Sequence, residues 1–590
     1  MKTKYIAAVD FGTSRTGFAW CSSGEVTGIS DIRIKKEWPG LPSEYVKTYT
    51  ELYYDLQNNK WYFGGEAHDI RLTGKTSEGN NVRGEHFQEY KMNLYDTGKT
   101  YDINKTIDLI AETLKIMKEL VFENMRDNFG KEAFFSREMF DKETLWVLTV
   151  PEGATDDNKA CMREAAVKAG LIEKGSEDFE RLVFALEPEA AIITCIKDDI
   201  ALDLIDNEQV IVVFDAGGGT VDITVKKFRP QKNGTPAKLS SIENVTGACE
   251  PAGSKYMDEC FFKYLSNLFG NEILDKLLNR EEYIYDYKEI ADEWTKKKEL
   301  TAGYNNGKSF EFRINIETLW KILENISSDE YKSLMNEIDK SPERIIIRNN
   351  YEYKFAGREN KYLEFNRKRF ETTFHKRFEK AYMPLKRTLE QLKEQNIKCD
   401  SLFFIGGFSC NPCLKEFIKK QISKDFEYMD KIRYVEMNSH KTSSAVLFGA
   451  VLYAADPGFI TDRIAKLTYG VECFINDEDN CFSALISRGD KISFDNEIQK
   501  TFYPHRPDQT EVAFQFYSTE RTDVKKSTDS SLTPLEEVMV NCPDITGGCD
   551  REILVTLKFG GTETKATILD KTSGNKEQIS LHIPFAWNYK

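Results

Sequence analysis

Two stretches about two hundred positions apart carry the same pattern of apolar and polar residues. The first runs apolar from Ile6 to Val9, meets Asp10, passes Gly12-Thr13-Ser14-Arg15, and resumes through Thr16, Phe18 and Trp20. The second runs apolar from Val210 to Phe214, meets Asp215, passes Gly217-Gly218-Gly219-Thr220, and resumes through Val221-Asp222-Ile223. Each predicts a buried strand, a tight turn and a second strand. Consecutive glycines reach backbone conformations closed to other residues, so their N–H groups can converge on one phosphate. The flanking aspartates suit a magnesium ion, which prefers oxygen ligands and keeps much of its water. A triple glycine alone is more often a plain tight hairpin. Its repetition predicts a duplicated unit with a phosphate held between its halves.

The pattern elsewhere fits strands alternating with helices. Residues 29–105 are rich in Tyr, Trp, Gly and Lys and read as a small subdomain inserted before a helix over 103–124. Thr144 to Val150 is a buried strand, followed by a helix over 156–169 that Gly170 stops. Val183 to Leu186 leads into Glu187-Pro188-Glu189-Ala190-Ala191 and an apolar helix reaching Ile196. After the second hairpin, Gly247 and Gly253 precede a further helix, and residues 267–396 are charged with apolar positions every three or four. Such a run is ordinarily a solvated face. Ser401 to Ile405 is another strand, ending at Gly406-Gly407-Phe408-Ser409, and Ala445 to Ala455 is a small-residue helix. Gly449 there allows close packing on the Glu187 to Ile196 helix. From Thr468 onward the period becomes two, broken by Gly, Pro, Asp and Ser, which predicts a separate antiparallel β domain. Within it, Thr522 to Thr533 reads as a mobile polar loop.

At 590 residues, with 40% hydrophobic and 12% aromatic content, the chain has room for two or three domains with sizeable cores. A net charge of −15 argues against a general nucleic-acid or anionic-membrane surface. The longest apolar run, Ala445 to Ala455, is about half of what a bilayer requires. No signal peptide is evident, and a cytoplasmic protein is expected. The twelve cysteines are scattered, as free thiols in a reducing compartment would be. Cys410-Asn411-Pro412-Cys413 has the spacing of a redox or zinc half-site, but no second CxxC or histidine pair accompanies it. The pair Cys542 and Cys549 is a weaker signal still.

Five motifs in order resemble the actin, sugar kinase and heat shock protein 70 superfamily: hairpin one at Asp10 to Gly17, a connecting helix at Glu187 to Cys195, hairpin two at Asp215 to Asp222, a strand and loop at Leu402 to Ser409, and a second connecting helix at Ser444 to Tyr453. The sequence FDAGGGTVDITV and the segment Leu569 to Leu581 resemble heat shock protein 70 more than actin or a sugar kinase. Val150-Pro151, Met162-Arg163-Glu164-Ala165-Ala166 and Ala185 to Ala191 resemble that family's divergent member 12 branch. The fold implied is α/β, a duplicated actin-like ATPase followed by an antiparallel β-sandwich without a helical lid. ATPase lobe I would span 1–204 with an insert near 29–105, lobe II 205–458 with a helical insert near 254–396, and the β domain 467–590.

The resemblance implies ATP or ADP with Mg2+ in a cleft between the lobes. Asp10 and Asp215 would hold the metal through water, and Asp222 would help to position it. Gly12, Thr13, Ser14, Arg15, Gly217, Gly218, Gly219 and Thr220 would line the phosphates, while Glu187 would face the attacking water. Gly406, Gly407 and Phe408 would line the adenosine pocket, and the adenine-clamping cation is expected among Lys296, Lys297 and Lys298, with Lys297 chosen. Two departures stand out. Where the family has an essential lysine in the first insert this chain is expected to have His68, and where it has an aspartate heading the second connecting helix the matching position is Ser443. Hydrolysis is therefore expected to be slow. Two functions stay open: an ATP-driven, chaperone-like enzyme whose β domain grips a protein or peptide client, and a nucleotide-gated scaffold that does not hydrolyse. Either would accommodate a nucleotide-exchange partner, and neither involves nucleic acid or a membrane span.

Overall fold

The computed structural model describes residues 3–24, 26, 28–41, 45–95, 102–129, 135–173, 179–198, 207–232, 237–243, 245, 247–300, 311–324, 362–429, 431–436, 439–475, 478–494, 497–558 and 563–581. Both predicted hairpins are present. β1 (Tyr5–Phe11) pairs antiparallel with β2 (Arg15–Ser22), placing Asp10 opposite Gly17. β2 also carries β3 (Arg33–Ile34) and β4 (Thr48–Tyr49). An insert follows, a three-stranded sheet of β5 (Glu51–Asp55), β6 (Lys60–Phe63) and β7 (Gly84–Gln88) with helix α1 (Gly65–Thr73) between β6 and β7. After helix α2 (Ile103–Phe129), β8 (Thr144–Val150) lies parallel to β1, and beyond helix α3 (Asp156–Lys168), β9 (Leu182–Leu186) lies parallel to β8. Helix α4 (Glu187–Lys197) begins where β9 ends.

The second half repeats this plan. β10 (Gln209–Ala216) pairs antiparallel with β11 (Val221–Arg229), whose edge carries β12 (Lys238–Ser240) and β13 (Ala248–Glu250). Helices α5 (Lys255–Phe269) and α6 (Ile284–Leu300), the hairpin of β14 (Glu311–Asn315) and β15 (Tyr362–Asn366), and helix α7 (Arg367–Glu394) form the second insertion. β16 (Ser401–Ile405) returns parallel to β10, β17 (Arg433–Glu436) extends the sheet, and helix α8 (Ser439–Ala455) follows. The parallel strands β1, β8, β10 and β16 are apolar along nearly their whole length because both faces are covered. Ile6, Ala8 and Val147 of one sheet and Ile211, Val213, Phe403 and Ile405 of the other bury against α4 and α8 in one core. At their crossing, a side chain on Gly449 would run into the Ala190 carbonyl. Small residues let the two helices touch backbone to backbone, as the sequence predicts.

The C-terminal region is all β. β19 (Thr468–Ile475), β20 (Glu478–Ile486), β23 (Glu511–Thr519) and β24 (Thr533–Asn541) form one antiparallel sheet in the order β20-β19-β23-β24. β22 (Glu497–Phe502), β25 (Ile553–Lys558), β26 (Lys565–Asp570) and β27 (Lys576–Ser580) form another. Val471, Phe514, Phe516 and Val538 of the first meet Val555, Leu557 and Ile568 of the second in one shared core. A short pair, β18 (Asp462–Ile464) and β21 (Lys491–Ser493), leads in. The expectation of a mobile loop over Thr522 to Thr533 is corrected. Lys525 O accepts from Phe482 N at 2.8 Å, Ser527 N donates to Asn480 O at 2.9 Å, and Val524 and Leu532 are buried beside Phe482. Two apolar residues inside a polar stretch suffice to seat it on the edge of β20, which would otherwise be unpaired.

This region lies against α3 of the first half. Arg163 pairs with Glu563 at 2.6 Å, Tyr469 Oη donates to Asp156 at 2.7 Å, and Lys565 pairs with Glu180 at 3.1 Å. The connecting segment docks on the second sheet, where Ile460 bridges Leu239 in parallel and Thr461 N donates to Leu239 O at 2.8 Å. Arg463, from β18, reaches the buried Glu189 of α4 at 2.6 Å. Among the described residues no helix is long and apolar enough to cross a membrane.

Candidate functional site: two glycine hairpins and a buried acidic cluster

Each hairpin turn is closed by a backbone bond, Gly12 N to Arg15 O at 3.1 Å and Gly217 N to Thr220 O at 3.0 Å. The turns face one another. A Cβ on Gly218 would overlap Ser14 Oγ, and one on Gly219 would lie 2.7 Å from Thr13 Oγ1. The loop before α5 seats the second turn, as Gly253 N donates to Gly219 O, Ser254 N to Gly217 O and Lys255 N to Gly218 O. Gly406, at φ +82°, ends β16 against Asp215, where a Cβ would stand 2.5 Å from Oδ1. Only a glycine permits that approach in that conformation.

Asp10, Asp215 and Asp222 are all buried, Asp215 and Asp222 as direct partners across β10 and β11. Asp10 accepts from Thr149 Oγ1 at 2.9 Å and pairs with Lys47 at 2.5 Å. Asp222 accepts from Glu152 N at 3.0 Å and Thr220 Oγ1 at 2.7 Å. Burial and then the Glu187 carboxylate raise Asp222 to about 7, and the same two causes, with Asp222 and Asp10 added, raise Asp215 well above the carboxylate range. Three buried aspartates and Glu187 outnumber the two lysines paired with them, Lys47 and Lys91, an acidic excess that fits a cation. Among the described residues no three His, Cys, Asp or Glu side chains converge as direct metal ligands.

The cation beside Glu187 is Lys91. Its ammonium donates to Glu187 Oε1 at 3.0 Å and lies 5.6 Å from the Phe11 ring centre. The lysine stands in the 3-10 turn Tyr90–Leu94, which follows β7 and is pinned by Asn158 Nδ2 on Leu94 O at 2.6 Å. Next to it, the Tyr95 hydroxyl is buried with no hydrogen-bond partner among the described residues, and burial and then Glu187 push its ionisation well above the usual range. His68, expected in the lysine's place, stands elsewhere. It lies on α1, stacked on Tyr49 at 4.2 Å, with Nδ1 3.0 Å from Glu51 Oε1 and Nε2 3.7 Å from Asp292 Oδ1 of α6. The expectation is corrected: α1 turns His68 toward β5, and the turn after β7 delivers the cation.

Other expected residues are dispersed. Arg15 stacks over Tyr49 at 4.7 Å and Tyr45 at 5.3 Å. Phe408 is buried in the core of the second half. Gly407 has open space where a side chain would stand. Lys298 pairs with Asp258 at 2.6 Å, and Lys297 is half-buried on α6. The side chains of Lys296 and Ser443 lie outside the described residues. Lys47, Lys91, Tyr95, Thr149 and Glu152 were not singled out in the sequence.

Residues 345–558 match the family model described as Hsp70 protein. The chain is 24% identical over 98% of its length to heat shock 70 kDa protein 12A of Mus musculus, covering 91% of that protein. It is also 24% identical over 98% of its length to heat shock 70 kDa protein 12B of Homo sapiens, covering 90% of it. Chaperone protein DnaK of Methanothermobacter thermautotrophicus is 22% identical over 83% of this chain, which covers 66% of that protein. The family-model match lies in the later part of the chain and the likeness to proteins 12A and 12B spans nearly all of it, so the chain resembles the heat shock protein 70 family and, within it, the divergent branch of proteins 12A and 12B.

Proposed function

We propose that the two halves are the lobes of an ATPase that binds ATP or ADP with Mg2+ between the glycine hairpins, hydrolyses ATP, and uses nucleotide state to control a protein or peptide partner on the β domain. The observation that carries this is the Lys91–Glu187 pair standing with three buried aspartates at two facing glycine turns. Heat shock protein 70 kinship implies nucleotide and Mg2+ use in general. Thr13, Ser14, Thr220 and the glycine N–H groups would receive the phosphates. Asp10 and Asp215 would hold the hydrated ion, which supplies charge neutralisation at the phosphates. Glu187 would orient the attacking water while Lys91, paired with it at 3.0 Å, offsets charge developing on the transferred group. Gly406 and Gly407 would admit the adenosine, with Lys297 as its nearest proposed cation.

A gated module that binds without hydrolysing is the second reading. One observation favours it: Lys47 already neutralises Asp10, and Asp222 is raised to about 7, so the resting site is stable with little free negative charge. Single-turnover measurement with ATP and magnesium separates the two. Phosphate released at one equivalent per chain supports the enzyme, whereas tight nucleotide binding with no phosphate released supports the module. Absence of nucleotide binding defeats both.

A further inference from the structure

In the β region, Cys473 of β19 stands directly opposite Cys481 of β20. The outer edge of β20 sets the type of pairing. Asn480 O and Phe482 N point outward to residues 527 and 525, so Cys481 turns its own backbone groups inward to β19. Opposed residues of that kind have Cα atoms about 5.5 Å apart and side chains on one face, within the range that a disulfide spans. The Cys473 thiol lies 3.7 Å from Cys481 O, and the Lys526 ammonium lies 3.6 Å from Cys481 Sγ. Cys473 is half-buried and reachable from solvent, while Cys481 is buried behind it.

The position of the pair gives it a consequence. β23 accompanies β19 only from Thr468 to Val471, so Glu472 to Ile475 have no ladder partner on that side among the described residues. This is an open edge that can accept an extended segment by backbone pairing. A covalent bond at Cys473 would fix that stretch to β20, whose far edge residues 525–527 already cover.

We propose that Cys473 and Cys481 are a reversible disulfide site that stiffens the open edge of the β region; its bearing on partner binding rests on the function proposed above. The oxidant is a low-molecular-weight disulfide such as oxidised glutathione. One cysteine thiolate attacks a glutathione sulfur and expels glutathione thiolate; the other attacks the resulting mixed disulfide and expels the second. Two protein thiols become one S–S bond, the oxidant is reduced to two glutathione thiols, and those two take up the two protons. Burial pushes the Cys473 thiol up against the pull of Lys500, so the reaction quickens as pH rises.

The test treats the full chain with oxidised glutathione, blocks remaining thiols and maps peptides without reduction. One peptide pair linked through 473 and 481 is expected, absent from Cys473→Ser, retained in the exposed-thiol control Cys549→Ser, and lost on reduction. Hydrogen exchange over 472–475 is expected to slow about tenfold or more in the linked form. Glutathione adducts without that link overturn the site, and a link that leaves exchange over 472–475 unchanged overturns the stiffening. Neither readout needs nucleotide or partner, so a failed ATP assay leaves the result intact.

Discussion

Lys91 shows how a single residue is placed by a partner far away in the chain. Glu187 is 96 positions away, and only the parallel pairing of β1, β8 and β9 brings the start of α4 to the turn after β7. Removing the ammonium leaves Glu187 facing the acidic cluster uncompensated. Lys91→Ala is expected to slow single-turnover hydrolysis by about 10² to 10³, the usual worth of one electrostatic donor, while nucleotide still binds. His68→Lys is expected to leave the rate within about twofold, and a large acceleration would return His68 to the catalytic role. Gly218→Val meets Ser14 and is expected to force the hairpins apart, which abolishes nucleotide binding by calorimetry in a chain whose circular dichroism is unchanged. The glycines and aspartates were legible because local pattern alone dictates a hairpin. Lys91, Lys47 and Tyr95 were not, because nothing within a few residues of them signals their role.

Among elements, α1 of the first half and α6 of the second meet directly. His68 lies between Glu51 of β5 and Asp292 of α6, with Arg71 nearby, Tyr49 stacked on it and His86 on the far oxygen of Glu51 at 2.9 Å. Lys288 of α6 adds a bond to Asp69 at 2.8 Å. Burial opposes protonation of His68, but Asp292 and Glu51 raise it overall, and against burial the two histidines hold Glu51 down to about 2. A histidine raised on folding stabilises fully below its unfolded value of about 6.5 and loses that contribution as pH climbs through the folded value. The bridge between the halves is thus expected to loosen as pH rises above about 6.5. Release of a fluorescent nucleotide should quicken over that range, and His68→Gln should flatten the profile; a parallel profile in the variant rejects the bridge. The helices of the second insertion were readable from their three-to-four period. The seating of residues 522–533 was not, since their polar composition outweighs the two apolar residues that anchor them.

At the scale of the whole molecule, the segment entering the β region is tied to both halves. Glu189 is fully buried; burial pushes its carboxyl up, yet Arg463 and Lys226 hold it down to about 2. Arg463→Ala leaves Lys226 alone to balance it, and since breaking a buried pair costs about 3 to 5 kcal/mol, a loss near the lower end is expected. Limited proteolysis should then cut near 457–467 where the wild-type chain resists, and equal resistance would show that the docking does not depend on this pair. Glu152 offers a second tie, its carbonyl accepting from Lys466 at 2.6 Å while its N–H holds Asp222. The crossing of α4 and α8 has a mechanical meaning beyond its packing. At Gly449 the backbone of α8 meets the Ala190 carbonyl of α4 with no side chain between them, so any larger residue there would act as a wedge between the two helices. The smallest residue in the helix therefore sets how closely the two halves of the molecule come together.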